Sequence, residues 1–338
     1  MDYKERNCSI DIFRYVCAIM VVMIHVRPLE EFSEHLGYVT SNIIPRIAVP
    51  FFFVVSGYYY IQKLENNEKV FTKYIRGLLK IYLIWSIVYF IVNFVEWGHK
   101  DIVGFVVDSA LKFFVLGSYY HLWFFPAMIV SVCIVTLFFR VGVKKLLIPF
   151  SIVFYIIGCL GTSYYSIGVR LPGIGQLFDM EQFLIIRRIF LMGFPLFCCG
   201  YLIYKIENKF KKIISNRVNI EILGLAFIVW LLEIWIVIKY DFQLSIIITP
   251  GLYILVGVVM LVLLRYPCYR FKKFSRQCYA MANFTYYAHP LFILIFTLAF
   301  SKLSNWNTLL FLLTVLSTGI VGTLIYVSNN KMLKQLVK

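Results

Sequence analysis

Ten apolar runs, each about as long as a bilayer is thick, divide this chain, and nothing else in the sequence constrains its fold as tightly. A helix needs about 20 mostly apolar residues to cross the roughly 30 Å hydrocarbon core. Runs that meet this pattern fall at about 10–27, 44–62, 75–96, 120–139, 146–162, 184–204, 220–238, 246–264, 280–301 and 308–328. The mean hydropathy is +0.81 and only 15% of residues are charged, against about 25% in soluble domains. The expected fold is therefore an all-α integral membrane bundle of about ten helices, a single transmembrane domain over residues 1–338. The first run has no small-residue cleavage motif after it and holds polar residues, so it reads as a retained span and not as a secretory leader. A shorter piece, 102–116, carries Asp108 and Lys112 and reads as an interfacial or re-entrant helix.

The net charge of +16 raises the question of nucleic acid, but its placement answers it. Of 33 Lys and Arg residues, 23 lie in the termini and alternate inter-span segments: Lys4 and Arg6, then Lys63, Lys69, Lys73, Arg76 and Lys80, and the groups at 140–145, 205–217, 265–276 and 331–338. Nine lie in the opposite set and Arg14 lies inside the first run. Such alternation is the mark of membrane orientation, with the basic side in the cytosol. Both termini are expected there, and no nucleic-acid partner is implied. The eight cysteines show neither metal-ligand spacing nor a disulfide framework.

Within the first run, Asp11, Arg14, Ala18, Val22 and His25 share one helical face at about 100° per residue. Arg14 and His25 are eleven positions apart, roughly 16 Å along the axis. Ionisable groups inside a bilayer usually face a protein interior or a water-filled path. Arg14 offers a planar fork suited to an anion; pairing with Asp11 three positions away is the competing reading. His25 can accept and return a proton near neutral pH, or bond a carbonyl at the membrane interface.

Other segments add candidates. Prolines 45 and 50 bracket the outer end of the second run, where they can break or kink a helix; Ser56-Gly57 lets another helix approach closely. Lys73, Arg76 and Lys80 lie at the cytosolic end of the third run. They suit a phosphate-bearing donor or acidic lipids equally. His121 and Trp123 form either an interface belt or the mouth of a substrate site. Glu233 sits mid-span, where it could bind an acceptor, orient a histidine or pair with a cation. His289 precedes Pro290 and reads mainly as structural. His35 and His99, in outer loops, carry no signal.

Arg14-x10-His25 after an Ile-Asp start, RIAVPFFFVVSGYYY, the basic start of the third span, YHLWFFPA and YYAHPLF together resemble the integral-membrane acyltransferase-3 family, over essentially the whole chain. The resemblance implies a ten-helix bundle in a bacterial plasma membrane. It implies transfer of an acyl group, usually acetyl, from acyl-CoA to a hydroxyl of a cell-surface or lipid-linked glycan, with acyl-CoA as donor substrate and no bound cofactor. Arg14 and His25 match the family's essential pair; Lys73 stands where many members have the first arginine of a doubled motif. Two subgroups are similar: the O-acetyltransferases of enterobacterial common antigen, and the membrane domain of serine racemases from vancomycin-resistance operons, proposed to import L-serine. Members of the second carry a soluble catalytic domain after the last span. This chain runs about ten residues past its last apolar run, so a stand-alone acyltransferase is the expectation. A small-solute transport domain is the alternative, with Pro50, Pro126, Pro195 and Pro250 as span interruptions.

Overall fold

A computed structural model describes residues 7–66, 69–96, 101–210, 216–300, 303 and 305–337. Lys4, Arg6, Lys100, Lys211, Lys212, Lys302, Lys338 and His99 lie outside the described residues. Among the described residues the secondary structure is helical, with no strand. The principal helices are α1 (Cys8–Val26), α2 (Ala48–Asn66), α3 (Val70–Glu96), α4 (Phe124–Arg140), α5 (Leu147–Leu160), α6 (Phe194–Phe210), α7 (Asn216–Lys239), α8 (Pro250–Arg265), α9 (Lys272–Ala299) and α10 (Asn307–Val327). Each expected apolar run lies on one of them. Among the described residues, seven stretches are long and apolar enough to cross a bilayer by themselves: Cys8–Val26, Glu34–Asn66, Val70–Val95, Phe183–Glu207, Ile220–Lys239, Tyr269–Ala299 and Asn307–Val327. The other three expected spans fall on shorter helices, α4, α5 and α8, of 17, 14 and 16 residues. The 102–116 piece is an α-helix over Ile102–Leu111 followed by a π turn over Lys112–Leu116.

The prolines read as interruptions mostly begin helices. Pro45 lies in a 3₁₀ turn, Ile44–Ile47, that leads into α2, and Pro50 lies in the first turn of α2. Pro126 lies in the first turn of α4 and Pro250 opens α8. The missing N–H of proline costs nothing in a first turn. Pro195 follows a π turn, Arg187–Gly193, that joins Phe183–Ile186 to α6. Pro290 is the proline set inside a helix, α9.

The chain divides into two compact units. The first comprises Met1–Phe52, Asn216–Leu223 and Val258–Lys338. Its centre is α1, α9 and α10. α1 and α9 run parallel and in register: Asp11 meets Ser275, Arg14 meets Tyr279 and His25 meets His289. α10 runs antiparallel to α9, with Thr323 bonded to Gln277 and Thr318 to Thr285. Small residues at the α1–α9 seam, Ala18 and Ala282, are both buried and allow close packing. Opposite faces carry exposed apolar residues such as Leu316 and Leu324, as lipid-facing positions should.

Both ends of α1 are tied down. At its start the Asn7 side chain accepts from the Ile10 N–H and donates to the Leu263 carbonyl, capping the helix. The Ser9 hydroxyl donates to the Tyr266 carbonyl and accepts from the Cys268 N–H. At its end the chain turns through Arg27 (φ 56°) and Leu29 (φ 69°). This turn clamps onto α10: the Leu29 N–H donates to the Thr308 hydroxyl, and the Thr308 N–H donates to Glu31.

The second unit comprises Phe53–Ser215 and Gly224–Gly257. Here α2 and α6 cross at two glycines. A Cβ on Gly57 would run into the Phe197 carbonyl oxygen, and one on Gly200 into the Tyr58 N–H and Val54 carbonyl. The Ser56-Gly57 pair is therefore a helix-contact motif, as its small size suggests.

Candidate functional site

In the first unit, Asp11 is 2% exposed, because the neighbouring helices cover it. Its two oxygens are used separately. Oδ1 lies 3.3 Å from Arg14 Nη1, and Oδ2 accepts from the Ser275 hydroxyl at 3.0 Å. The Arg14 guanidinium sits 5.2 Å from the centre of the Tyr279 ring, a cation–π distance. The carboxylate thus holds one edge of the guanidinium and the aromatic ring backs it. The Asp11–Arg14 pair, the reading that competes with anion binding, is present, and the arrangement leaves a fixed, partly buried cation inside the span.

Three turns on, His25 occupies the last turn of α1 and is exposed. Its ring stacks on that of His289, with centroids 5.2 Å apart and planes 22° apart. His289 itself is fully buried. Its Nδ1 lies 2.9 Å from the Tyr286 carbonyl and 3.1 Å from that of Thr285. Carbonyls only accept, so Nδ1 carries hydrogen and Nε2 bears the lone pair in the neutral ring.

On α9, Ser275, Tyr279, Ala282, Tyr286 and His289 fall on one face at helical spacing. This polar face mirrors the one on α1. Ser275, Tyr279 and Tyr286 were not among the sequence candidates. Reading backward from His289 by three, four, three and four positions would have found them.

The remaining candidates lie in the second unit. Lys73 and Arg76 are exposed on α3 and, with Lys69, Thr72, Gly77 and Lys80, line an open hollow of about 570 Å³. His121 is buried, not set at an open mouth: Tyr89, Tyr119 and Tyr120 surround it edge-on at 5.0–6.0 Å. Trp123 is half-buried, with the Arg188 guanidinium 5.3 Å from its ring centre. Arg188 belongs to the π turn before α6.

Glu233 has a local explanation. Its Oε1 accepts from the Tyr164 hydroxyl at 2.7 Å and its Oε2 from the Gly251 N–H at 2.7 Å. Gly251 is the second residue of α8, so the carboxylate satisfies a helix-start N–H that has no partner within its own helix. A side chain at 251 would occupy the place of Oε2.

Long apolar helices, with a partly buried ion pair and a histidine pair along one seam of the first unit, define a multi-pass membrane protein. The sequence comparison is specific about which. The family described as an acyltransferase domain, the acyltransferase-3 family, matches residues 7–327, and the chain belongs to it. Relatives include an amino-acid racemase of Enterococcus faecalis, 32% identical over 66% of this chain and 33% of its own length. A second amino-acid racemase of the same species is 34% identical over 49% of this chain and 23% of its own. A serine/alanine racemase of Enterococcus gallinarum is 32% identical over 49% of this chain and 24% of its own. The chain thus spans a third or less of the length of these relatives. No solved structure matches it significantly.

Proposed function

We propose that this chain is a bacterial plasma-membrane O-acyltransferase. It takes an acyl group, acetyl first among the candidates, from cytosolic acyl-CoA and delivers it to a hydroxyl of a cell-surface or lipid-linked glycan. The observation that carries this reading is the shared polar face of α1 and α9, with the Asp11-held Arg14 at one end and the His25–His289 stack at the other. The family supplies the reaction class. With the basic segments in the cytosol, Arg14 lies toward the donor and His25 toward the acceptor. Arg14 meets a phosphate of the donor with its planar fork. Lys73 and Arg76 hold the nucleotide phosphates. His25 takes the proton of the acceptor hydroxyl as its oxygen adds to the acyl carbon, and returns it to the departing thiolate. A covalent acyl-His25 intermediate is the variant of this route.

The test is transfer of radiolabelled acetyl from acetyl-CoA by protein reconstituted in vesicles. His25→Ala should abolish transfer, since a general base contributes about 10²–10⁴-fold, while insertion and thermal stability stay normal. Near-normal transfer by this variant removes His25 from the chemistry. Arg14→Lys should weaken acyl-CoA use, because lysine has no planar fork.

A second reading rests on the relatives, which are named for amino-acid and serine/alanine racemisation. In it the chain is a membrane domain that admits serine or a similar small solute. Serine uptake into the same vesicles, without acyl-CoA turnover, would establish it over acyl transfer. Pro50, Pro126 and Pro250 lie in first turns and lend that reading no broken helix, whereas Pro195, after the π turn within Phe183–Glu207, supports it.

A further inference from the structure

Proline inside a helix leaves one carbonyl without its usual partner, four residues back. For Pro290 that carbonyl belongs to Tyr286. His289 Nδ1 takes that carbonyl, at 2.9 Å. The two adjacent residues therefore compensate each other: the proline frees an acceptor and the histidine beside it fills it. The bond fixes two properties of the His289 ring, its tautomer and its rotation about Cβ, at a fully buried position. The face of this fixed ring meets His25, which is exposed and sits in the last turn of α1. Tyr286 borders the same ring at 6.4 Å.

We propose that His289-Pro290 is a positioning device for His25. The carbonyl released by the proline holds the His289 ring, and the held ring sets the plane of the His25 imidazole by stacking on it. His289 is a positioning residue, acting through His25. Its catalytic consequence rests on the acyl-transfer reading; the geometric device does not.

Three variants separate this from a plain structural role. Pro290→Ala restores an N–H to position 290, which competes for the Tyr286 carbonyl and loosens His289. The helix gains a bond, so the melting temperature in detergent should hold or rise. At the same time kcat should fall about 10–100-fold, the range expected when a reacting group is misplaced by about 1 Å, with KM for acyl-CoA unchanged. His289→Asn keeps an amide N–H for the Tyr286 carbonyl but removes the stacking ring; it should stay folded and lose kcat similarly. His289→Phe keeps a ring but no tether and should not rescue.

A second readout needs no acyl transfer. Carbethoxylation of His25 by diethyl pyrocarbonate, followed by mass spectrometry, should quicken at least threefold in Pro290→Ala and His289→Asn. If wild-type protein transfers nothing while His25 labelling shifts as stated, the acyl-transfer reading fails and the device stands. If both variants keep wild-type kcat and labelling rate, or if stability and activity fall together in each, the device is refuted.

Discussion

Replacing Glu233 with alanine removes the acceptor of two hydrogen bonds, each 2.7 Å long, from the Tyr164 hydroxyl and the Gly251 N–H. Hydrogen bonds to charged groups contribute about 1.5–3 kcal/mol each in soluble proteins; side-chain bonds between membrane helices average about 0.6 kcal/mol. Gly251 lies in the first turn of α8, where a lost cap costs about 0.5–2 kcal/mol. Two bonds taken together put the loss at about 2–4 kcal/mol for Glu233→Ala. Glu233→Gln keeps one carbonyl oxygen but turns an NH₂ toward a second donor, and should lose about half as much. Gly251→Ala should imitate Glu233→Gln, because its methyl displaces Oε2. Thermal unfolding of the purified protein in detergent measures all three. Transfer activity per folded molecule should be unchanged. An unaltered melting temperature in Glu233→Ala would refute the capping account. Full stability with lost activity in Glu233→Gln would instead give the carboxylate a part in the chemistry.

Substituting leucine for Gly57 or Gly200 should prevent α2 and α6 from meeting, since even a Cβ there strikes backbone atoms; loss of monodisperse protein on size exclusion checks it, and normal yield would contradict the contact. Changing Lys73 and Arg76 to glutamine should raise KM for acyl-CoA with little change in kcat, an effect that shrinks as salt screens the exposed cations; equal KM at low and high salt, or none of the rise, would move the donor elsewhere. Burial raises the pKa of the Glu31 carboxyl, but hydrogen bonds from the Thr308 hydroxyl and the Glu31 and Thr308 N–H groups together outweigh it and hold the carboxyl below its usual range. Its contribution is therefore complete above the unfolded value of about 4.3 and disappears as pH falls through the folded value. Glu31→Gln should flatten the acid limb of the stability profile between those two values, as thermal melts across pH would show.

Much of the fold is visible in apolar periodicity, because a bilayer forces the backbone to satisfy itself within each helix. The face shared by Asp11, Arg14 and His25 follows from helical geometry alone. Its counterpart on α9 has the same spacing, yet Ser275 and Tyr279 are ordinary residues until a parallel helix is laid beside them. Glu233 was ambiguous for the same reason: its partners are 69 and 18 positions away. Pro50 and Pro126 misled as interruptions because a proline in a first turn and a proline at a break look alike without the helix boundary. His121 looks like a pocket mouth from its neighbours in sequence, but Tyr89, on another helix, closes over it.

Because α1 and α9 point the same way and α10 runs back along α9, the start of α1 and the end of α10 lie at one end of this three-helix group. That end carries Asp11 and Arg14, and the bond from Leu29 to Thr308 ties the chain together at the other, beside His25.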